Sequence, residues 1–443
     1  FGYNGNASLN AGTGDKYGGS LNLNLKNDKM QIFGNYNYNL NNFVITGGST
    51  RTNSLSTTEN LLTQDNDGTV RAKTHFVKGG LDLYIDQRST LSLSSNYQNS
   101  ARTRHELIAS EEFDINNILT SNYTRDYNGD FKNKIFDFAL NYALKFKNPQ
   151  QSLTVDVIYT LSQNDENGFT QEDDIYPTST QPEQIKELSK TKDQDFSIQS
   201  DYVHPTGEES KIEAGFKVRY RKKGNDYTNQ KYNYNLNQFE IDPSLTNNFD
   251  YHDYVNAVYA QYSGNMGIFS YQAGLRTEQT IVKSFLLSSN ESHKNDYIDL
   301  FPSANITAKL SKSNEIQLSY SRRIRRPSLG ELNPFVNTAD PNNYFSGNHD
   351  LKPEYTDSYE LSFMQFLPGT SLTPSLFYRY TKDLISRTRE YIDSNTTLTS
   401  FVNYASSKSY GAELIFSTQP VAFWNLNGSV SWFKTDVDAT NIS

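Results

Sequence analysis

The sequence predicts an all-β protein, a transmembrane antiparallel β-barrel with short turns on one rim and long loops on the other. Three observations predict it. Apolar residues recur at every second position: Phe136, Phe138, Leu140, Tyr142, Leu144 and Phe146 alternate with Asp137, Ala139, Asn141, Ala143 and Lys145. A period of two places each set on one face of a strand. Mean hydropathy is only −0.71 and 35% of the residues are hydrophobic, yet 31 Tyr and 26 Phe are present. A barrel reconciles these values, because only alternate strand residues face lipid while lumen and loops stay polar. Connection lengths also alternate between short and long, which a soluble sandwich has no reason to do.

In chain order the alternation marks about 17 strands. They lie near 3–12, 17–27, 29–40, 70–86, 88–101, 129–147, 151–163, 192–203, 209–222, 249–263, 266–282, 298–310, 314–324, 355–367, 370–381, 398–417 and 422–434. Leu21, Leu23 and Leu25 alternate with Asn22, Asn24 and Lys26, and Leu81, Leu83 and Ile85 with Asp82, Tyr84 and Asp86. Leu153, Val155, Val157, Tyr159 and Leu161 alternate with Ser152, Thr154, Asp156, Ile158 and Thr160. Ile212, Ala214, Phe216, Val218 and Tyr220 alternate with Glu213, Gly215, Lys217, Arg219 and Arg221. Tight turns are expected at Asn27-Asp28, Gln87-Arg88, Asn148-Pro149, Pro205–Glu208, Asn265, Lys312-Ser313, Pro368-Gly369 and Gln419-Pro420, where such residues suit turn geometry. Long polar loops are expected near 41–69, 102–128, 164–191, 223–248, 283–297, 325–354 and 382–397, with one short outer connection near Gly12–Lys16. A short loop helix is expected over Gln181–Lys190.

The bulk values exclude several classes. No run of about 18 apolar residues exists, so no transmembrane helix is expected. Net charge is −9, unlike the basic surface of a general nucleic-acid binder. There is no cysteine, hence neither a disulfide framework nor thiol chemistry. The chain begins at Phe1 without an export signal, and a fragment of a longer precursor is expected. An odd strand count does not close an antiparallel barrel, so residues 1–443 are read as one partial barrel domain, about 17 strands of a larger barrel of about 22.

The densest motifs fall between Asn314 and Phe363. Ser321-Arg322-Arg323 and Arg326-Pro327 end one strand, Asn333-Pro334-Phe335 opens the loop, and Gly347 lies within it. Leu351-Lys352-Pro353-Glu354 and Ser358-Tyr359-Glu360 lead into the next strand. This stretch resembles the outer-membrane β-barrel family allied to TonB-dependent receptors. The resemblance implies a receptor or transporter barrel in the outer membrane of a Gram-negative bacterium. It implies three working parts: outer loops that capture a solute, an N-terminal plug that closes the lumen, and a periplasmic energy-coupling protein that moves the plug. The plug and the closing C-terminal strands are expected to lie outside this sequence. The solute is not named by the resemblance, since specificity lives in loops. A passive porin-like or structural barrel without energy coupling is the alternative.

Arg322, Arg323, Arg325 and Arg326 form the densest basic cluster. The parity of Ile316, Leu318 and Tyr320 sends Arg323 and Arg325 into the lumen, and Arg322 and Arg326 to the lipid side. Inward guanidinium groups are expected to find acidic or carbonyl partners, with Glu354 or Glu360 the nearest. Outward ones suit lipid phosphate, because guanidinium forks onto two oxygens. A solvated strand end accounts for the cluster equally well. Pro334, Pro341 and Pro353 stiffen the loop and Gly347 permits unusual backbone angles. Trp424 and Trp432 share one strand face about 26 Å apart along the strand, as two aromatic girdles would be.

Asp65-Asn66-Asp67-Gly68 resembles part of a calcium loop but lacks the further ligands and closing Glu. The acidic stretch 164–190 reads as a solvated loop. The histidines His75, His105, His204, His252, His293 and His349 make no metal-ligand spacing. No nucleophile elbow or phosphate loop is present, so neither enzyme activity nor a cofactor or metal is expected.

Overall fold

Strand pairing follows the alternation. The computed structural model describes residues 2–52, 59–287, 290–337, 343–392 and 396–441. Its strands are β1 (Gly2–Gly12), β2 (Lys16–Lys26), β3 (Met30–Thr52), β4 (Glu59–Tyr84), β5 (Ser89–Asp114), β6 (Leu119–Lys145), β7 (Ser152–Tyr176), β8 (Glu183–Pro205), β9 (Lys211–Asn233) and β10 (Gln238–Ile241). They continue as β11 (Asn247–Met266), β12 (Phe269–Leu286), β13 (Glu291–Lys309), β14 (Asn314–Arg325), β15 (Asn343–Phe345), β16 (Glu354–Leu367), β17 (Thr370–Tyr391), β18 (Thr397–Val421) and β19 (Trp424–Asp438). The only helices among the described residues are a 3₁₀ turn at Pro243–Leu245 and a single α-turn, α1 (Leu329–Leu332).

All strands join one sheet. Among the described residues, nineteen strands therefore replace the expected count of about 17. The two extra, β10 and β15, have 4 and 3 residues and lie inside outer connections, too short for any period to register. The long strands pair with their neighbours in antiparallel order, while β15 alone runs parallel to its partner, β18. Among the described residues β1 pairs only with β2 and β19 only with β18, so the sheet is an unclosed barrel wall.

The outer connections differ from the expected loops. β6 has 27 residues, about 89 Å of strand, where a bilayer crossing takes about 9–11 residues. Most of 102–128 and 164–191 is paired strand that stands clear of the membrane. Those stretches alternate polar with polar, so backbone hydrogen bonding extends the strands without a hydropathy signal. The helix expected over Gln181–Lys190 is instead mostly β8, and the Asp65–Gly68 segment is part of β4. In β4 its side chains alternate between faces and do not converge on an ion, and Asn66 donates to Glu106 at 2.9 Å. Six of the eight inner turns sit where turn residues predicted them; the turns expected at Asn265 and Gln419-Pro420 fall two residues or so later, at Gly267-Ile268 and Ala422-Phe423, because Asn265 and Gln419-Pro420 are still strand. Asn27 and Asp86 each accept two backbone N–H groups at their turns, at 2.7–2.9 Å. Gly267 and Gly369 adopt the positive φ that their turns need.

Directly opposed residues of paired strands share a face. One apolar row runs unbroken from β2 to β9: Leu25, Ile32, Leu81, Leu93, Leu140, Val157, Ile198 and Val218. The other face is polar and pairs with itself. Asn141 donates to Asp156 at 2.7 Å and Thr160 to Asp137 at 2.5 Å. Arg219 and Arg221 hold Asp195 and Asp253. The apolar face is the lipid face and the polar face lines the lumen. Trp424 and Trp432 lie on the exposed wall opposite Val421 and Ala412, with a register shift between Thr418 and Val421.

Leu140→Arg on the lipid face should lower unfolding stability in vesicles by about 2–4 kcal/mol. Asn141→Arg, one residue on and facing the lumen, should cost far less. Urea titration of both variants compares them, and equal losses would contradict the assigned faces.

Candidate functional site: the outer mouth and its in-folded loop

The loop between β14 and β16 folds inward over the lumen wall. Ser328 caps α1: its side chain accepts from the Glu331 amide, and the Glu331 carboxylate accepts from the Ser328 amide at 2.7 Å. This capping box starts the turn immediately after Pro327, which is buried. Leu332 and Leu351 then enter a core with Phe249 and Tyr251 of β11, Leu286 of β12, Ile385 of β17 and Phe401 of β18. Phe335 packs against the same core. By strand parity these wall residues point into the barrel, so the core lies inside its mouth.

Polar contacts fix the rest of the loop. Asn348 donates to the Phe401 carbonyl at 3.0 Å, and the Ser346 amide to the Thr399 carbonyl at 3.0 Å. The Lys352 amide donates to the Asn403 side chain at 2.8 Å. Arg51 of β3, distant in sequence, donates to Asn343 at 2.9 Å. Gly347 crosses the end of α1 so closely that a Cβ there would lie 2.5 Å from the Asn333 carbonyl oxygen. No larger residue fits without moving that backbone. Pro341 lies outside the described residues.

The four arginines separate. Arg325 points inward, 2.5 Å from Glu331 and 3.6 Å from Glu354. Arg323 is opposite Thr356 on the lumen face, but it makes no hydrogen bond or ion pair among the described residues. It is exposed, and the acidic partner expected for it is not found among the described residues. Glu360 contacts Ser362 instead, at 3.0 Å. Arg322 takes the outward direction and lies 5.3 Å from the centre of the Tyr355 ring. Arg326 contradicts the parity reading: it turns into the wall, donating to Glu278 at 2.6 Å and Thr280 at 2.7 Å. β14 ends at Arg325, and Pro327 releases the next residue from strand parity. On β16, Tyr359 faces outward, its ring centre 4.9 Å from that of Tyr320 and tilted against it.

Beside the loop the lumen wall carries a polar cavity of about 400 Å³, lined among others by Arg104, Glu106, Arg125, Tyr127, Glu172 and Glu187. Arg125 donates to Glu172 at 2.7 Å, and Tyr227 to Glu187 at 2.6 Å. Burial and the negative charge of Glu187 push Glu166 above the ordinary carboxylate value. Glu278, Thr280 and the apolar wall residues of the loop core were not singled out by sequence. Each reads there as one more alternating strand position. No group of His, Cys, Asp or Glu among the described residues forms a metal site.

A barrel wall with a lipid face, a charged lumen and an in-folded surface loop defines an outer-membrane barrel. The chain belongs to the outer membrane protein beta-barrel family, whose model matches residues 144–443. It is thus a protein of the Gram-negative outer membrane. A comparison with curated proteins gives no match. Among solved structures it is similar to the copper transporter OprC, with TM-score 0.67 and 14% identity over 99% of this chain and 62% of that one. It is also similar to the pyoverdine outer membrane receptor FpvA from Pseudomonas aeruginosa PAO1, with TM-score 0.64 and 12% identity over 99% and 62%. The ferric yersiniabactin uptake receptor FyuA from Yersinia pestis gives 0.57 and 13% over 98% and 60%. The chain spans less than two thirds of the length of each of these structures.

Burial pushes the Glu331 carboxyl up, but hydrogen bonds from Ser328 and the Arg325 guanidinium outweigh it and hold it below the ordinary glutamate value. A depressed folded pKa stabilises the loop fully above the unfolded value and ceases to do so as pH falls through the folded one. Hydrogen-exchange protection of the Gly347 and Asn348 amides should therefore drop below the glutamate range in the native protein. In Glu331→Gln it should be lower at neutral pH and lack that step; an unchanged step in the variant would contradict the assignment.

Proposed function

We propose that this chain forms the wall and outer vestibule of a receptor that takes up a solute across the outer membrane. The observation that carries the reading is the in-folded loop. A passive pore needs only a rim, whereas here the described residues of the loop, 326–337 and 343–353, are packed by an apolar core and tied to β3, β11 and β18. Such a shelf beside a charged cavity suits capture of a polar solute by preformed groups. The similar structures are named as transporters and receptors, which supports the general kind. In the complete protein a plug in the lumen and a periplasmic energy-coupling partner would make uptake active.

Planar bilayers containing the complete protein test this with potassium chloride as the probe. A plugged receptor should show no steady conductance. A stable current proportional to salt concentration would identify a passive porin-like barrel and overturn the proposal.

A further inference from the structure

The charged cavity beside the in-folded loop holds more acid than its own cations take up. It is cut into the lumen side of the outer ribbons β5 to β9. Asn229, which lines it, lies about 36 Å further along β9 than Val218 of the apolar row. Gly129 and Gly168 are directly opposed on β6 and β7 and open the hollow. A Cβ on Gly129 would lie 2.6 Å from the Tyr127 hydroxyl, and one on Gly168 would lie 3.3 Å from the Glu187 carboxylate. Each lining cation is already held by a carboxylate of the same wall: Arg104 by Glu106, Arg125 by Glu172 and Lys231 by Glu183. Glu187 accepts from the Tyr227 hydroxyl and makes no ion pair among the described residues. Glu166 shares this face, and burial and then the charge of Glu187 raise it in spite of Arg102.

Asn229 is directly opposed to Glu187 and is only 1% exposed. Its backbone is satisfied, the amide by Thr246 Oγ1 at 3.3 Å and the carbonyl by the Asp242 amide at 2.9 Å. Its side-chain oxygen and nitrogen both lack a hydrogen-bond partner among the described residues. Tyr227, its neighbour on the same face, donates its hydroxyl to Glu187 instead. A buried amide left unpaired is costly, and a ligand that bonds both of its atoms removes that cost.

We infer that this cavity binds a small organic cation that carries an amide, with the charge against Glu187 and Glu166 and the amide against Asn229. The inference rests on the uptake reading above and names the class of solute it would take. Carboxylates without a cation call for positive charge, and a primary ammonium brings three donors. The Asn229 side chain offers one acceptor and one donor group, which a second amide matches and a bare metal ion does not. The volume of about 400 Å³ suits a small molecule.

The test is equilibrium dialysis of three probes against the complete protein in neutral detergent. Nα-acetyl-lysinamide carries both charge and amide, its Nε-acetylated form carries amides only, and butylamine carries the charge only. The wild type should bind the first about tenfold more tightly than either of the others. Glu187→Gln should abolish the preference over the Nε-acetylated form. Asn229→Leu should weaken Nα-acetyl-lysinamide about tenfold and leave butylamine unchanged. Glu213→Gln, on the same face near the inner end of β9, should change neither. Equal binding of the three probes by the wild type, an equal loss of all probes in Asn229→Leu, or the Glu187→Gln phenotype in Glu213→Gln would each overturn the inference. The wild-type comparison needs no variant, so a variant that fails to fold still leaves a decisive reading. A closed barrel that binds the three probes equally contradicts this inference alone. A current proportional to salt with the probe preference intact contradicts the uptake reading alone.

Discussion

Within a bilayer, a backbone N–H or C=O has no water to bond, so each strand must be satisfied by its neighbours. That constraint organises this chain. It forces antiparallel pairing with near-neighbours and makes the two faces of the sheet chemically different. The row from Leu25 to Val218 and the opposed polar pairs Asn141–Asp156 and Asp137–Thr160 are two consequences of one register. A slip of one residue would place Asp137 and Asp156 in lipid, so the register is held by the cost of that exchange.

Beyond the membrane the constraint relaxes, and two solutions appear. From β3 to β9 the strands continue outward as paired ribbons, held by cross-strand pairs such as Arg125–Glu172 and Tyr227–Glu187. Between β14 and β16 the chain leaves the sheet and builds a small core inside the mouth. Pro327 ends strand parity, the Ser328–Glu331 box starts α1, and Gly347 lets two backbone segments touch. Arg325 and Arg326, adjacent in sequence, then serve different walls: one holds the loop through Glu331, the other holds β12 through Glu278.

Much of the wall was legible because lipid-facing residues must be apolar at every second position. Phe136 to Leu144 and Leu153 to Leu161 announce their faces without any structure. The extent of the outer strands was not legible, because stretches such as Asn122–Asp130 alternate polar with polar and need only backbone pairing. The motif residues marked the right loop, but their contacts were only partly foreseeable. Glu354 does lie near Arg325, whereas Arg326 turned inward once Pro327 ended the strand. Arg323 is exposed and has no ion-pair partner among the described residues. The partners Glu278 and Thr280, and the core residues Phe249 and Leu286, are brought to the site by the curvature of the wall, which no local pattern encodes.

The inward fold of the loop is the point on which the mouth depends. The sequence has no cysteine, so a pair introduced as Tyr344→Cys and Leu398→Cys, which are register partners of β15 and β18, reports on it directly. Oxidising intact cells that display the complete protein should join the two within one chain and protect both from a membrane-impermeant maleimide. Rapid labelling of both positions with no internal cross-link would contradict a loop docked in the barrel mouth.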